Sequence, residues 1–381
     1  MRPKRILQVV GAMNRAGTET MLMHIYRKID HENIQFDFIS YSNEEADYDE
    51  EIKKLGGRVF HLSKTGSIKQ LYDVMKRYGP YNAVHAHTLF HCGIANMAAM
   101  LAGVKIRIAH AHTTLDESDR LPKKIYIRLM RNLIDYVSTN LLACSKGAGR
   151  YLYGEKGIKR ANYSYFPNVI DYGPYLKDYE AEVRKFKLEE GLENSLILGH
   201  IGRFIEAKNH RFILKILKCM ILKNPTVKLV LVGDGDLRKE IEKKAEKEGI
   251  SDHIRFVGKR KDVPILLQSM DMFVFPSHFE GLGLVLLEAQ ASGVPCIVSE
   301  SIQPEADLNL GLVTKLSLAD GPEAWAERII ESAQKKAIDK NKIVYSFINN
   351  EYSIPIGISK LMDLYEIKGV GMYEKRINRL V

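Results

Sequence analysis

A chain of 381 residues, 45% hydrophobic and 27% charged, exceeds the roughly 250–300 residues at which a single hydrophobic core stops growing, so two globular domains are expected. Its formal net charge of +9 lies wholly within residues 1–170 and residues 171–381 sum to zero, which points the first half toward something anionic: nucleic acid, a phosphorylated substrate or an acidic membrane surface. No run of about eighteen apolar residues occurs, the Ile6–Val10 run is too short for a secretory signal, and Cys92, Cys144, Cys219 and Cys296 form no CxxC pair; a chain in a reducing cytoplasm that does not span a membrane is expected.

Along the chain, short β-rich runs alternate with helix-period stretches. RILQVV, IQFDFI, GRVFHL, NAVHAH, KIRIAHAH and LLACS come first, then LILGHIG, VKLVLVG, HIRFVG, DMFVFPS, PCIVS and GLVTKL. Strands that read as continuous Val/Ile/Leu runs between helices predict parallel sheets covered on both faces. The expected organisation is α/β, with Rossmann-like domains over residues 1–170 and 195–351, a linker over 171–194, and a helical segment from about 352 to 381 packing back on the first domain.

In open α/β sheets ligands bind beyond the carboxyl ends of strands, so the loops after strands carry the most weight. The first is GAMNRAGTET, where Gly11 and Gly17 allow a tight turn and the helix from Thr18 directs free N–H groups outward, which suits a phosphate or sugar oxygen. A plain strand-to-helix turn capped by Thr18 explains the loop equally well. His85 with His87, and His110 with His112, stand two apart at strand ends, a spacing that suits zinc, but no Cys or carboxylate at ligand spacing supports a metal. The stretch Arg120–Val137 sets Leu121, Ile125, Leu129 and Leu133 at helical spacing with Lys123, Lys124, Arg128 and Arg131 on the flanks. It reads either as a core helix with a solvated side or as a basic amphipathic helix resting on anionic lipid.

In the second half, Arg203 and Lys208 follow a strand in GRFIEAK, where two cations suit a diphosphate, the Arg as a fork and the Lys as a point charge; two solvated surface cations are the plain alternative. Asp234 and Asp236 in GDGD look like a metal-binding pair, but the turn that holds them makes Asp236 a helix cap. DMFVFPSHFEGLG then reads as a strand, a turn and a helix beginning near Leu282, with Gly281 and Gly283 leaving its N-terminus bare for an anion. Glu280 and Glu288 sit eight positions apart there, within roughly 12 Å if helical.

Taken together, the GTE of the first loop (Gly17, Thr18, Glu19), Arg203 with Lys208, LVGDG (Leu231–Gly235), RFVG (Arg255–Gly258) and EGLGLVLLEAQASGVP (Glu280–Pro295) resemble the glycosyltransferase family 4 proteins, and the resemblance covers nearly the whole chain. It implies the GT-B architecture, two facing Rossmann-like domains with a cleft between them. It further implies that Arg203 and Lys208 hold the donor diphosphate, Glu288 the ribose, the backbone near Gly258 the base, and Glu280 with the N–H groups of Gly283 and Leu284 the donor sugar and phosphates. Gly17 and Thr18 join the donor side, and His112, with His110 as second choice, matches the histidine that reaches the donor sugar or reacting centre. Two positions depart from the family's usual pattern: Leu282 stands in its EGFG and Ile170 in its PNGVD linker motif, and both changes bear on subfamily. The implied reaction is retaining transfer of a sugar from a nucleotide-diphosphate donor, a uridine one by similarity to the capsular and exopolysaccharide branch, to a glycan or lipid-linked acceptor, with no metal or other cofactor. The implied location is cytoplasmic or peripheral on the inner face of the membrane. A nucleotide-sugar epimerase or hydrolase of the same fold, acting without an acceptor, is the rival reading. A nucleic-acid-binding role is disfavoured, because the basic residues lack interleaved aromatic platforms.

Overall fold

The computed structural model describes residues 3–114, 121–332 and 338–367. The chain forms two compact units, Met1–Asp171 with Glu351–Val381, and Tyr172–Asn350.

The first unit carries seven strands: β1 (Lys4–Val10), β2 (Ile34–Ser40), β3 (Val59–His61), β4 (Ala83–Ala86), β5 (Ile106–Ala111), β6 (Asn140–Ala143) and β7 (Tyr163–Tyr165). All pair in parallel, in the order β3-β2-β1-β4-β5-β6-β7. Parallel neighbours need crossovers, supplied here by α1 (Gly17–Tyr26), α2 (Asp49–Lys54), α3 (Ile68–Tyr78), α4 (Cys92–Leu101), α5 (Leu121–Val137) and α6 (Lys146–Gly157). Six of the seven strands coincide with the expected runs. β7, in the polar stretch YSY, has no apolar run to announce it and forms because the open edge of β6 offers it a ladder. β2 is buried along its whole length although it contains Asp37. That carboxylate is tolerated because Arg5, Arg58 and the Tyr81 hydroxyl all donate to it.

The second unit has six parallel strands, β8 (Ile197–Ile201), β9 (Lys228–Val232), β10 (Ile254–Gly258), β11 (Met272–Phe275), β12 (Cys296–Ser299) and β13 (Val313–Leu316), ordered β10-β9-β8-β11-β12-β13. Its helices are α7 (Glu180–Glu189), α8 (His210–Lys223), α9 (Arg238–Lys247), α10 (Val263–Ser269), α11 (Leu284–Ala291), α12 (Gly321–Ser332) and α13 (Lys340–Asn349). Leu214, Leu217 and Met220 of α8 meet Trp325 and Ile329 of α12 in one core cluster, with the Trp325 indole donating to the Ser317 carbonyl at 2.9 Å. Of residues 171–194, read from sequence as a linker, those from Tyr172 on fall in this second unit, with a short 3-10 turn (Gly173–Leu176) and α7, which packs on α10.

The chain then returns to the first unit. Ile170 bridges to Ser353, α14 (Ile354–Leu364) packs on α1 and on Val169, and Tyr365 reaches the sheet, where Asn82 donates to its carbonyl at 2.7 Å. Residues 368–381 of the expected C-terminal segment lie outside the described residues, as do residues 115–120 ahead of α5.

Both strand orders reverse direction once, between β1 and β4 in the first sheet and between β8 and β11 in the second. These are the topological switch points, where neighbouring crossovers leave toward opposite faces and open a crevice past the strand ends.

Candidate active site

At the switch point of the second sheet, the loop after β8 supplies Gly202, Arg203 and Lys208, and the loop after β11 supplies Glu280 and Gly283. The two loops are tied together: Asn209, at φ 57°, donates through its side-chain amide to the Pro276 carbonyl at 3.2 Å, and His278 N–H donates to Ala207 at 2.8 Å. Lys208 Nζ lies 2.6 Å from Glu280 Oε1, and the two side chains are only 16% and 13% exposed. The same Nζ stands 4.7 Å from the centre of the Phe275 ring, an aromatic face that favours a cation. The lysine stem reaches that position across Gly202, where a Cβ would stand 3.3 Å from Lys208 Cδ and Cε and 3.0 Å from the His200 ring.

Gly283 caps α11 at φ +85°, without any side-chain capping bond, and an added Cβ would stand 3.0 Å from Phe275 and 3.9 Å from Glu280 Cγ. The first N–H groups of α11, including that of Leu284, therefore begin beside the same ring that Lys208 covers. α11 starts two residues later than the expected Leu282, because the left-handed Gly283 sets the boundary. Arg203 follows Gly202 directly, is exposed, and finds no hydrogen-bond acceptor for its guanidinium among the described residues. Lys208, Glu280, Gly283 and Leu284 thus come together around Phe275, with Arg203 at the rim. Phe275 itself was hidden in a run that reads simply as a strand.

Glu288 lies one turn into α11 and is half-buried. Burial pushes its carboxyl up to about 7, and a hydrogen bond with the Tyr175 side chain pulls the other way. Tyr175 comes from the 3-10 turn in the presumed linker, so no local pattern connected it with the site. Gly258 closes β10 at φ +68°, and its carbonyl accepts from Gly233 N–H at 2.8 Å, joining the ends of β9 and β10. Asp236 is not a cap: the residue before α9 is Leu237, with no side-chain capping bond, and Asp234 instead accepts from Gly235 N–H at 2.9 Å. The turn Gly233–Gly235 delays the helix past both aspartates.

In the first unit, Gly17 opens α1 behind Ala16, again with no side-chain cap, so Thr18 is a residue of the first turn and not the cap. The four histidines meet at the ends of β4 and β5. His85 pairs with His110 at 3.1 Å and His87 with His112 at 2.7 Å. Beyond these pairs, His87 meets Gln8 at 3.0 Å, His112 meets Asn168 at 3.1 Å, and His85 meets the Tyr365 hydroxyl at 2.8 Å. Both ring nitrogens of His112 are thereby engaged, and burial lowers its pKa to about 3, which keeps it neutral. His110 Nε2 is buried with no partner among the described residues. His85, His87 and His110 place one nitrogen each within 4.8 Å of one another, the only histidine, cysteine or carboxylate cluster of this kind among the described residues. The His110 and His112 rings lie 3.9 Å apart, tilted by 40°, with His85 paired to His110 and His87 to His112.

Comparison with known proteins matches residues 15–173 to the model described as Glycosyltransferase Family 4 and residues 182–346 to Glycosyl transferases group 1. The chain is 38% identical over 375 residues to the glycosyltransferase named EpsF of Bacillus subtilis, covering 96% of this chain and 97% of that one. It is 26% identical to the capsular polysaccharide biosynthesis glycosyltransferase CapH of Staphylococcus aureus, over 96% and 99%. Among solved structures, Anabaena HepE in complex with UDP and glucose superposes with a TM-score of 0.77 at 19% identity, covering 94% of this chain and 98% of that one. Two parallel-sheet Rossmann-like units, the motif-bearing loops at the second switch point and a full-length relative at this identity lead to one conclusion: the chain belongs to the family 4 glycosyltransferases, of the GT-B fold, and is a glycosyltransferase of polysaccharide biosynthesis.

Proposed function

We propose that this enzyme transfers a sugar from a uridine-diphosphate donor, with retention of anomeric configuration and without a metal, to a glycan or lipid-linked acceptor at the cytoplasmic face of the membrane. The observation that carries the reading is the gathering of Lys208, Glu280 and the uncapped start of α11 around Phe275, with the exposed Arg203 at the edge. Cations and bare amides at a strand-end crevice suit a diphosphate, and Glu280 suits the hydroxyls of a sugar joined to it. That HepE holds UDP and glucose on the same fold supports a uridine donor.

In this reaction the bond between the anomeric carbon and the β-phosphate oxygen breaks and a bond to the acceptor hydroxyl oxygen forms on the same face. The acceptor proton passes to the departing phosphate. Lys208, Arg203 and the N–H groups of Gly283 and Leu284 stabilise charge growing on the diphosphate, while Glu280 holds the sugar and favours its oxocarbenium character. Glu288 receives the ribose hydroxyls and the backbone at Gly258 the base. In the first unit, the family resemblance gives Gly17, Thr18 and His112 their roles, and His112 is a neutral imidazole fixed by His87 and Asn168.

Incubation of UDP-sugars with and without acceptor glycans, followed by product analysis, tests the proposal. Transfer that requires acceptor, and that Lys208→Ala lowers by at least about 100-fold while the circular dichroism spectrum is retained, is expected. Release of free sugar or an epimer at the same rate without acceptor would refute it.

A further inference from the structure

Within the apolar run Ile6–Val10 of β1, Gln8 is the one polar side chain, and it is fully buried. A buried amide must find its hydrogen-bond partners within the protein. Gln8 stands in register with His85 on β4, so it shares the sheet face that carries the histidines. Its Oε1 meets His87 Nε2 at 3.0 Å, and its Nε2 donates to the Tyr365 hydroxyl at 3.2 Å.

An amide oxygen only accepts and an amide nitrogen only donates, so these two contacts order the protons on either side of Gln8. His87 must carry its proton on Nε2. As a neutral ring it then accepts at Nδ1, and His112 donates to it from Nε2 at 2.7 Å. On the other side, burial raises the Tyr365 pKa, so the hydroxyl keeps its proton and, already accepting from Gln8, donates to His85 Nδ1 at 2.8 Å. His85 donates from Nε2 to His110 Nδ1 at 3.1 Å, which leaves the His110 proton on Nε2. The Phe166 backbone acts to raise the His110 pKa, as a carbonyl near a ring N–H does, in agreement with this order.

At the far end, Asn168 Oδ1 stands 3.1 Å from His112 Nδ1. With an amide oxygen at each end, His87 and His112 would need three N–H protons, one more than two neutral rings hold. Burial opposes that cation and lowers the pKa of both rings. One amide must therefore present its NH2 to a ring. Gln8 commits its NH2 to Tyr365, whereas Asn168 makes no other side-chain hydrogen bond among the described residues, so a half-turn of the Asn168 amide satisfies every member of the row.

We propose that Gln8, seated by Tyr365, is a positioning residue for His112: it holds that ring as the Nε2–H tautomer and leaves the lone pair on Nδ1. A sugar or acceptor hydroxyl that replaces the Asn168 amide then finds an acceptor at Nδ1, not a donor. The catalytic consequence rests on the reading of His112 as a group of the reacting centre; the tautomer does not.

Imidazole nitrogen NMR of the full chain tests the tautomer, with the His112 signals identified by their loss in His112→Asn. In the wild type, His112 Nε2 shows the shift of a protonated ring nitrogen and Nδ1 that of a lone-pair nitrogen. Gln8→Met keeps the volume but cannot fix His87, so both His112 nitrogens move to intermediate shifts as two tautomers mix. Tyr365→Phe moves them the same way by less. With a UDP-sugar and acceptor, kcat of Gln8→Met falls at least about fivefold while the donor KM changes less than about twofold. A wild-type His112 protonated on Nδ1, or His112 shifts unchanged in Gln8→Met, would overturn the proposal; so would mixed tautomers at unchanged kcat. Should Gln8→Met fail to fold, the wild-type shifts and Tyr365→Phe decide. A His112→Asn variant as active as the wild type would remove His112 from the reaction while the shifts still judge the tautomer, so the two failures are told apart.

Discussion

At the scale of single residues, Glu288 offers the sharpest physical handle. A carboxyl held at about 7 by burial is only partly ionised near neutral pH, yet as a ribose acceptor it works best as the carboxylate. UDP affinity is therefore expected to fall as pH drops through about 7, by up to about tenfold per unit. Glu288→Gln, which has no carboxyl to titrate, isolates this contribution from the titration of the nucleotide phosphate. Stability moves in the opposite direction. The folded pKa lies above the usual carboxyl value, so the folded state binds the proton more tightly than the unfolded chain does. The associated stability is fully present below about pH 4.5 and is lost as pH rises through about 7. Glu288→Gln should thus be more stable than the wild type at about pH 8, by up to ~3 kcal/mol, and nearly equal at about pH 4. Urea denaturation at the two pH values checks the sign, and a difference that grows toward acid would contradict it.

At the scale of elements, the loops after β8 and β11 were legible because glycines and charges sit where apolar runs end. That pattern set Arg203, Lys208, Glu280 and Gly283 at strand ends, while their donor-binding roles came only from the family resemblance. What was not legible depends on contacts between distant segments: Phe275 as the shared floor, Tyr175 against Glu288, and β7 recruited by the edge of β6. The periodicity of α5 was visible, but it could not say which of two apolar faces goes inward. Asp236 and Thr18 look like caps by residue type, and each lost that role when a neighbouring residue set the helix boundary. The boundary of α11 gives a paired test. Gly283 and Gly293 flank this helix at φ +85° and +69°, but a Cβ at Gly293 would meet nothing within 4 Å. Alanine at either position should cost about 1–2 kcal/mol for the left-handed backbone. Only Gly283→Ala should cost more, by crowding Phe275, and only it should weaken UDP binding. Equal losses in denaturant midpoint and in affinity would show that the start of α11 plays no part in the site.

At the scale of the whole molecule, the doubly wound pattern was readable because buried parallel strands are written as continuous apolar runs, and 12 of the 13 strands among the described residues could be placed from it. The stretch after Asp171 folds with the second unit, where the 3-10 turn brings Tyr175 to α11. Arg203, Lys208, Glu280 and Gly283 lie at one switch point of the second sheet, and the excess positive charge lies in residues 1–170. The proposed function requires the crevice at β8 and β11 to hold a nucleoside diphosphate. Calorimetric titration of the full chain with UDP tests it most directly, using the wild type, Arg203→Ala and Lys208→Ala. Saturable single-site binding, weakened at least about thirtyfold by Lys208→Ala and measurably by Arg203→Ala, is the predicted result; a wild type that does not bind UDP, or variants that bind it as tightly as the wild type, would contradict it.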